Sequence, residues 1–535
     1  MKAGRVIGAD EQDARVQARQ IVDDARAEAE QLRAAAQSEI ANARDSAADL
    51  AQRMVHDARA EAERRTAHAE AELARLRDHA AGLAAELVAE SVARHAEATP
   101  MVSAASALSE TVSVTSDLAT GRVDEVVGLV VRATVPGVAL GEVVRVDRRG
   151  GAPLAAEVVG FRGEQAVLLP LGDVAGIAPA GRVWRTGTPL AIRCSDALLG
   201  RVLDGIGAPL DDGPPLTGEA WPVDRPAPPA LGRPPIHEPQ PTGVRAIDAM
   251  LTLGRGQRVG LFAAAGVGKS TLLGQIARGA AADVIVLCLV GERGRELAEL
   301  LAEELAPARA RTVVVCATSD APPLVRLRAI HTATAIAEWF RDRRGAQVLL
   351  LCDSLTRVAR AQREVGLSAG EPPARHGYPP SVFALLPRLI ERTGATPAGV
   401  ITAMYTVLVA GNDLDEPIAD EVRGLVDGHI VLDRRLAQRG HFPPIDVVAS
   451  VSRLMPRVVA PAHLAAAAAL RGKLATYEEH RDLITLGAYQ AGRDRAVDAA
   501  VAAYPAIERL VRQGRGDQAA WQDSIAALLT LAGPG

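Results

Sequence analysis

The chain has 535 residues, of which 48% are hydrophobic, enough for about three domains with sizeable cores. Its 60 Lys and Arg are balanced by 65 Asp and Glu, and aromatic residues make up 3%. That composition argues against a broad nucleic-acid-binding face, which needs basic surface interleaved with rings. Four scattered cysteines (Cys194, Cys288, Cys316, Cys352) form neither a metal spacing nor a disulfide framework, so a reducing cytoplasm is expected. The first thirty residues are charged throughout rather than signal-like, and no apolar run reaches the ~18 residues of a membrane span.

From Ala9 to Ala81 there is neither Gly nor Pro, and Ala, Arg, Glu and Gln dominate. Ala14, Ala25, Ala36, Ala47, Ala58, Ala69 and Ala80 recur every eleven residues. So do Ala18, Ala29, Ile40, Ala51, Ala62, Leu73 and Ala84, and a third column beginning at Ile21 and Leu32. Eleven residues in three turns gives ~3.67 per turn, a right-handed supercoil period. A long helix or coiled coil is expected over 1–98, with a Ser/Thr-rich linker over 99–120. A lone solvated helix is the plainer reading, because alanine buries little surface.

Short alternating runs at Val126–Val131, Val143–Val146, Ala155–Gly160 and Gln165–Leu169 predict strands of a small barrel over 121–195, with a β-sandwich as the alternative. A Pro- and Gly-rich stretch, Gly200–Pro241, reads as a connection laid over a domain surface. Then Val/Ile/Leu runs alternate with helical patterns, as in a parallel sheet covered on both faces, within a core spanning 196–455. Residues 456–535 read as helices only.

Within the core, the strand-like run Arg258–Phe262 leads into AAAGVGKST (Ala263–Thr271) and then a helical pattern. This is the order a phosphate-binding loop requires. Gly266 and Gly268 free backbone N–H groups of Ala264, Ala265, Gly266, Val267 and Gly268 to curl around phosphate oxygens. The helix N-terminus adds partial positive charge, Lys269 a compact cation, and Ser270 with Thr271 the hydroxyl end of the motif. Ser270 is the expected magnesium contact. A glycine-rich turn capping an ordinary helix is the bland alternative. The first glycine of the generic motif is Ala263 here.

Two strand ends supply acids, where ligands gather in such sheets. Glu292, in GERGRE after Val284–Val290, is the expected water-orienting carboxylate, beside the tip of the phosphate-loop strand and paired with Arg293. Glu296 is a candidate contact to a metal-bound water. Asp353 ends VLLLCD and is the expected metal-side acid, acting through water. Surface or capping carboxylates are the alternatives. A cation for developing charge is harder to place; Arg453, ending ASVSR, is one of many arginines.

With these residues in place, the chain resembles the flagellar and type III secretion export ATPases, relatives of the F-type ATPase catalytic subunit. The resemblance rests on DSLTRVARAQREVGLSAGEPP (Asp353–Pro373), GYPPSVFALLPRLIERTG (Gly377–Gly394), LVDGHIVLDRRLAQRGHFPPIDVVASVSR (Leu425–Arg453) and KLATYEEHRDLITLGAYQAG (Lys473–Gly492), besides LVGERGRE and TSDAPPLVRLRA. It spans about Gly121–Gly492. It implies an α/β, RecA-like P-loop core after a small β-barrel and before a helical C-terminal domain, with ATP and Mg2+ as ligands. It implies Lys269, Glu292, Arg293 and Asp353 as catalytic residues, Arg453 as an arginine finger donated across a subunit interface, and Phe442 as the ring against adenine.

The same resemblance implies a homo-oligomeric, hexameric ring that energises protein export and releases or unfolds chaperone-bound substrates. Its implied partners are stator and central stalk proteins, export substrates and chaperones, at the cytoplasmic side of the inner membrane through partners, without nucleic acid. The N-terminal repeat resembles F-type b-subunit stalk helices and the helical half of export stators, as if part of a stator were fused to the motor. A rotary F/V-type catalytic subunit and a hexameric nucleic-acid motor are the alternative readings.

Overall fold

The computed structural model describes residues 120–409 and 414–533. The expected rod over 1–98, and all of the expected linker except Thr120, lie outside the described residues.

Six strands close a barrel: β1 (Thr120–Val127), β2 (Val130–Thr134), β3 (Glu142–Val146), β4 (Leu154–Arg162), β5 (Gln165–Pro170) and β6 (Arg182–Pro189), in the order β1-β2-β5-β4-β3-β6. Alternate residues face inward, so Val131, Ala133, Val144, Val146, Ala156, Val158, Ala166 and Leu168 form its core. Two sequence expectations are corrected. The run Val126–Val131 is a hairpin, with Val127 opposite Val130, because Gly128 at φ 58 lets the chain reverse. β6 was not anticipated, since RVWRTGTP alternates weakly, yet it closes the barrel by pairing with both β1 and β3.

β7 (Ala191–Cys194) and β9 (Glu219–Pro222) form a small ribbon in the connecting stretch, while β8 (Val202–Asp204) joins the main sheet. The expected surface connection therefore contributes an edge strand, parallel to β12 (Thr312–Thr318). The remaining strands are β10 (Arg258–Ala263), β11 (Val284–Glu292), β13 (Gln347–Asp353), β14 (Gly394–Ala395), β15 (Val400–Leu408), β16 (Gly428–Leu432) and β17 (Ile445–Ser452). The sheet order is β17-β16-β10-β15-β13-β11-β12-β8, with β14 beside β15. All neighbours are parallel except β16–β17 and β14–β15.

Helices cover both faces, and this explains the unbroken apolar runs. On β12, Val313 and Val315 enter one core with Ile330 and Ile336 of the helix Pro323–Arg344. Val314 and Cys316 enter the other, with Leu272 and Ile276 of the helix Lys269–Gly279. The second core continues into the C-terminal helices Pro461–Thr485, Arg495–Val511 and Trp521–Ala532 through Leu470, Ile507 and Leu528. All four cysteines are buried thiols. Among the described residues no helix is long and apolar enough to cross a membrane.

Candidate active site

β10 delivers the chain to the phosphate loop from the middle of the sheet. Gly266 and Gly268 have φ of 77° and 96°, a region L side chains rarely adopt. A Cβ at either would meet nothing within 4 Å, so the glycines are required by conformation and not by crowding. Val267 is buried beneath the loop, Ala264 is buried, and Ala265, Gly266 and Ser270 face solvent. The helix begins at Lys269, leaving its first N–H groups directed at the loop.

Glu292 ends β11 and Asp353 ends β13, so both acids stand at carboxyl ends of parallel strands. Glu292, expected beside the tip of the phosphate-loop strand, approaches it although β15 and β13 separate β10 from β11. Lys269 spans the gap. Its Nζ donates to Asp353 Oδ1 and lies 3.9 Å from Glu292 Oε1. Asp353 is fully buried and also accepts from Thr406 Oγ1 of β15 at 2.9 Å.

Glu292 is 9% exposed, and its pKa is pushed up to about 7. Burial is the main cause; the Asp353 charge and a hydrogen bond with Glu296 add to it, while Arg357 and Lys269 oppose it. The hydrogen bond with Glu292 in turn holds Glu296 below its ordinary value, helped by Arg293.

The expected Arg293–Glu292 pair is not formed. Arg293 is the residue before the helix Gly294–Glu299; it points outward and pairs with Glu296 at 2.6 Å, one turn along. Glu292's cation is Arg357, with Nη1 3.2 Å from Oε1 and a hydrogen bond to Gly291 O. Sequence reading missed Arg357 and Thr406. Arg357 lies four residues after Asp353, in the first turn of the helix Leu355–Ala369, which is the signal that was there to use.

Ser270, Thr271, Glu292, Glu296, Asp353 and Arg515 line a cavity of about 410 Å³. Thr271 and Arg515 also line a neighbouring cavity of about 490 Å³ with Leu272, Gln275, Phe442 and Gln513. Phe442 is half-exposed there, free to present a ring face. Among the described residues no three His, Cys, Asp or Glu converge as a metal cage. The set nonetheless fits magnesium, which takes hard oxygen donors from one or two side chains and completes its shell with phosphate oxygens and water.

Arg453 is not brought to these residues. Its N–H donates to Asp427 O, whose own N–H donates to Arg258 O at the start of β10. β17 runs antiparallel to β16, with Ser452 opposite Gly428 and Ile445 opposite Leu432. Arg453 is therefore exposed at the amino edge of the sheet, about 20 Å along β10 from the phosphate loop of its own chain.

Comparison with known proteins agrees with this architecture. The ATP synthase alpha/beta family models match residues 123–187 (beta-barrel domain) and 243–452 (nucleotide-binding domain), and the T3SS EscN ATPase C-terminal domain model matches 459–530. The flagellum-specific ATP synthase of Bacillus subtilis is 49% identical over 418 residues, 77% of this chain and 95% of the relative. The type 3 secretion system ATPase of Xanthomonas euvesicatoria is 49% identical over 414 residues, 77% of this chain and 93% of the relative. The solved structure of the assembled ATPase EscN of the enteropathogenic E. coli type III secretion system superposes with a TM-score of 0.73 at 44% identity, covering 77% of this chain and all of that one. EscN has also been solved in complex with its central stalk EscO, with a TM-score of 0.72 at 43% identity and the same coverage. Identity of this degree along nearly the whole of both relatives places the chain in the family of flagellar and type III secretion ATPases, as an ATP-hydrolysing enzyme.

Proposed function

We propose that this chain is one subunit of an ATP-driven hexameric ring that energises protein export at a flagellar or type III secretion apparatus. The observation that carries the reading is the separation of Arg453 from Lys269, Glu292 and Asp353 on opposite edges of one sheet. A site that needs all four is completed only by a neighbour.

In this reading the backbone N–H groups of Ala264–Gly268 and the helix N-terminus hold the phosphates. Lys269 turns from Asp353 to the β- and γ-phosphate oxygens. Ser270 would hold magnesium, with Asp353 and Glu296 acting on it through water. When bound, the metal neutralises charge on the transferring phosphoryl group. Glu292 orients the attacking water, held by Arg357, with Arg293 steadying Glu296 beside it. Phe442 packs on adenine. Arg453 of the neighbouring subunit meets the charge that develops on the γ-phosphoryl oxygens.

A central stalk, a stator, export substrates and chaperones are the proposed partners, and they hold the ring beside the membrane. The solved EscN structures, an assembled ATPase and its complex with a central stalk, support the ring and the stalk.

The test is subunit mixing. Lys269→Ala and Arg453→Ala are each expected to lose Mg2+-dependent phosphate release, Arg453→Ala by about 10^3-fold while still binding ATP. An equimolar mixture regains activity, because about a quarter of the interfaces in randomly assembled rings pair an intact loop with an intact finger. A mixture as inactive as its parts overturns the shared site.

A further inference from the structure

The connector between the helices Arg495–Val511 and Trp521–Ala532 belongs to the C-terminal domain, yet several of its bonds run to the elements around the nucleotide site. Gln513 N donates to Phe442 O at 2.8 Å, Gln513 Nε2 to Gly243 O at 2.8 Å, and Gln513 Oε1 accepts from Arg245 N at 2.9 Å. Gln275, on the helix that starts with Lys269, donates to Gly514 O at 3.2 Å and Asp517 O at 3.1 Å. Arg278, on the same helix, donates to Arg515 O at 2.6 Å. The backbone carrying Arg515 is thus fixed to the phosphate-loop helix.

The Arg515 side chain reaches away from that helix to two successive glutamates. Nε donates to Glu304 Oε1 at 2.5 Å and Nη2 to Glu303 Oε2 at 3.1 Å. Glu304 is buried and is also held by Arg278. These glutamates close the segment that opens with Glu292. Helix Gly294–Glu299 continues into the wider turn Leu300–Glu304, where Leu305 N donates to Leu300 O. A continuous helical segment transmits displacement because its hydrogen bonds resist stretching. Glu292 stands at one end of it and the arginine clamp at the other.

We propose that Arg515 is a positioning residue for Glu292, acting through Glu303 and Glu304, so that the setting of the C-terminal helices is communicated to the water-orienting carboxylate. The proposal rests on the reading of Glu292 given above. It assigns the C-terminal domain a part in turnover besides enclosing the base cavity. A positioning effect of this kind falls on the chemical step and spares ground-state binding.

The experiment is steady-state hydrolysis by the full-length chain. Arg515→Ala is expected to lower kcat about three- to tenfold with KM for ATP within about twofold. Arg515→Lys retains most of the activity. Arg515→Glu is as impaired as the alanine variant, and adding Glu303→Arg recovers part of the loss. Glu303→Gln, at an exposed position that does not threaten folding, shows a smaller fall in kcat alone. Unchanged kcat in Arg515→Ala overturns the proposal. So does a rise in KM at constant kcat, which would make Arg515 a nucleotide contact, or a lysine variant as impaired as the alanine one. Wild-type chain and Glu292→Gln run alongside: a wild type without Mg2+-dependent turnover, or a fully active Glu292→Gln, refutes the reading of the site and not the link.

Discussion

Glu292 is largely buried and faces Lys269, Arg357, Glu296 and Asp353, and its pKa of about 7 reflects that setting. A carboxyl whose folded pKa is raised binds its proton more tightly in the folded chain than in the unfolded one, where it titrates near 4.5. The charged form therefore costs stability. The cost is absent below pH 4.5, grows between 4.5 and 7, and is complete above 7. Without nucleotide, Glu292→Gln should melt higher than the wild type at pH 8, with the gap closing as the pH falls towards 4.5. Turnover should drop by at least about a hundredfold, as expected for the loss of a group acting on the attacking water. A melting difference independent of pH would mean that the carboxyl is not perturbed. The sequence made Lys269, Glu292 and Asp353 legible because a phosphate loop and acids at the ends of apolar runs are local patterns. It did not reveal that Arg357, and not Arg293, faces Glu292, since that pairing depends on β13 lying beside β11.

At the scale of elements, one joint ties the barrel to the core. Arg328, on the helix Pro323–Arg344, donates from two of its nitrogens to Glu157 of β4, and at 2.7 Å to Asp224 in the connection between barrel and core. Both Arg328 and Glu157 are buried. Burial holds the Glu157 pKa above its ordinary value although Arg328 opposes the rise. Arg328→Ala should cost about 3 kcal/mol, the usual range for stranding one member of a buried pair. The loss should be larger at pH 8 than at pH 5, because the stranded carboxylate can take a proton at the lower pH. Equal losses at both values, read from denaturant unfolding, would count against this account.

Strand alternation and the helical periods made most elements readable in advance. Among the failures were β6, whose polar and glycine-containing sequence alternates weakly, and β8, three residues inside a Pro-rich stretch. Both are strands because tertiary neighbours supply pairing edges, which no local pattern encodes.

For the whole molecule, the eleven-residue repeat of the N-terminal hundred residues is the largest feature beyond the span of the family models, whose matches run from 123 to 530. We propose that it acts as a stator-like arm in cis. Deleting residues 1–98 should leave ATP hydrolysis within about twofold of the full chain while weakening its docking on the export machinery. Secretion unchanged by the deletion would remove the arm from that role. The proposed role of Arg453 was the least readable from residues alone. Its segment is an ordinary apolar strand ending in arginine, and only family likeness singled it out; the register of β16 and β17 then showed which edge of the sheet it occupies.

On the proposed reading of Arg453 as a finger, that antiparallel return of β17 gives each protomer two unlike flanks, one bearing the loop and the other the finger. Two copies related by a twofold axis would bury like against like and leave both centres unfinished. Head-to-tail contact is the arrangement that works. An open row of n copies then owns n − 1 complete centres, and only closure supplies the last. On that reading shutting the circle would itself be an activating event, and a single finger-less protomer would disable its neighbour's centre while its own loop remained serviceable.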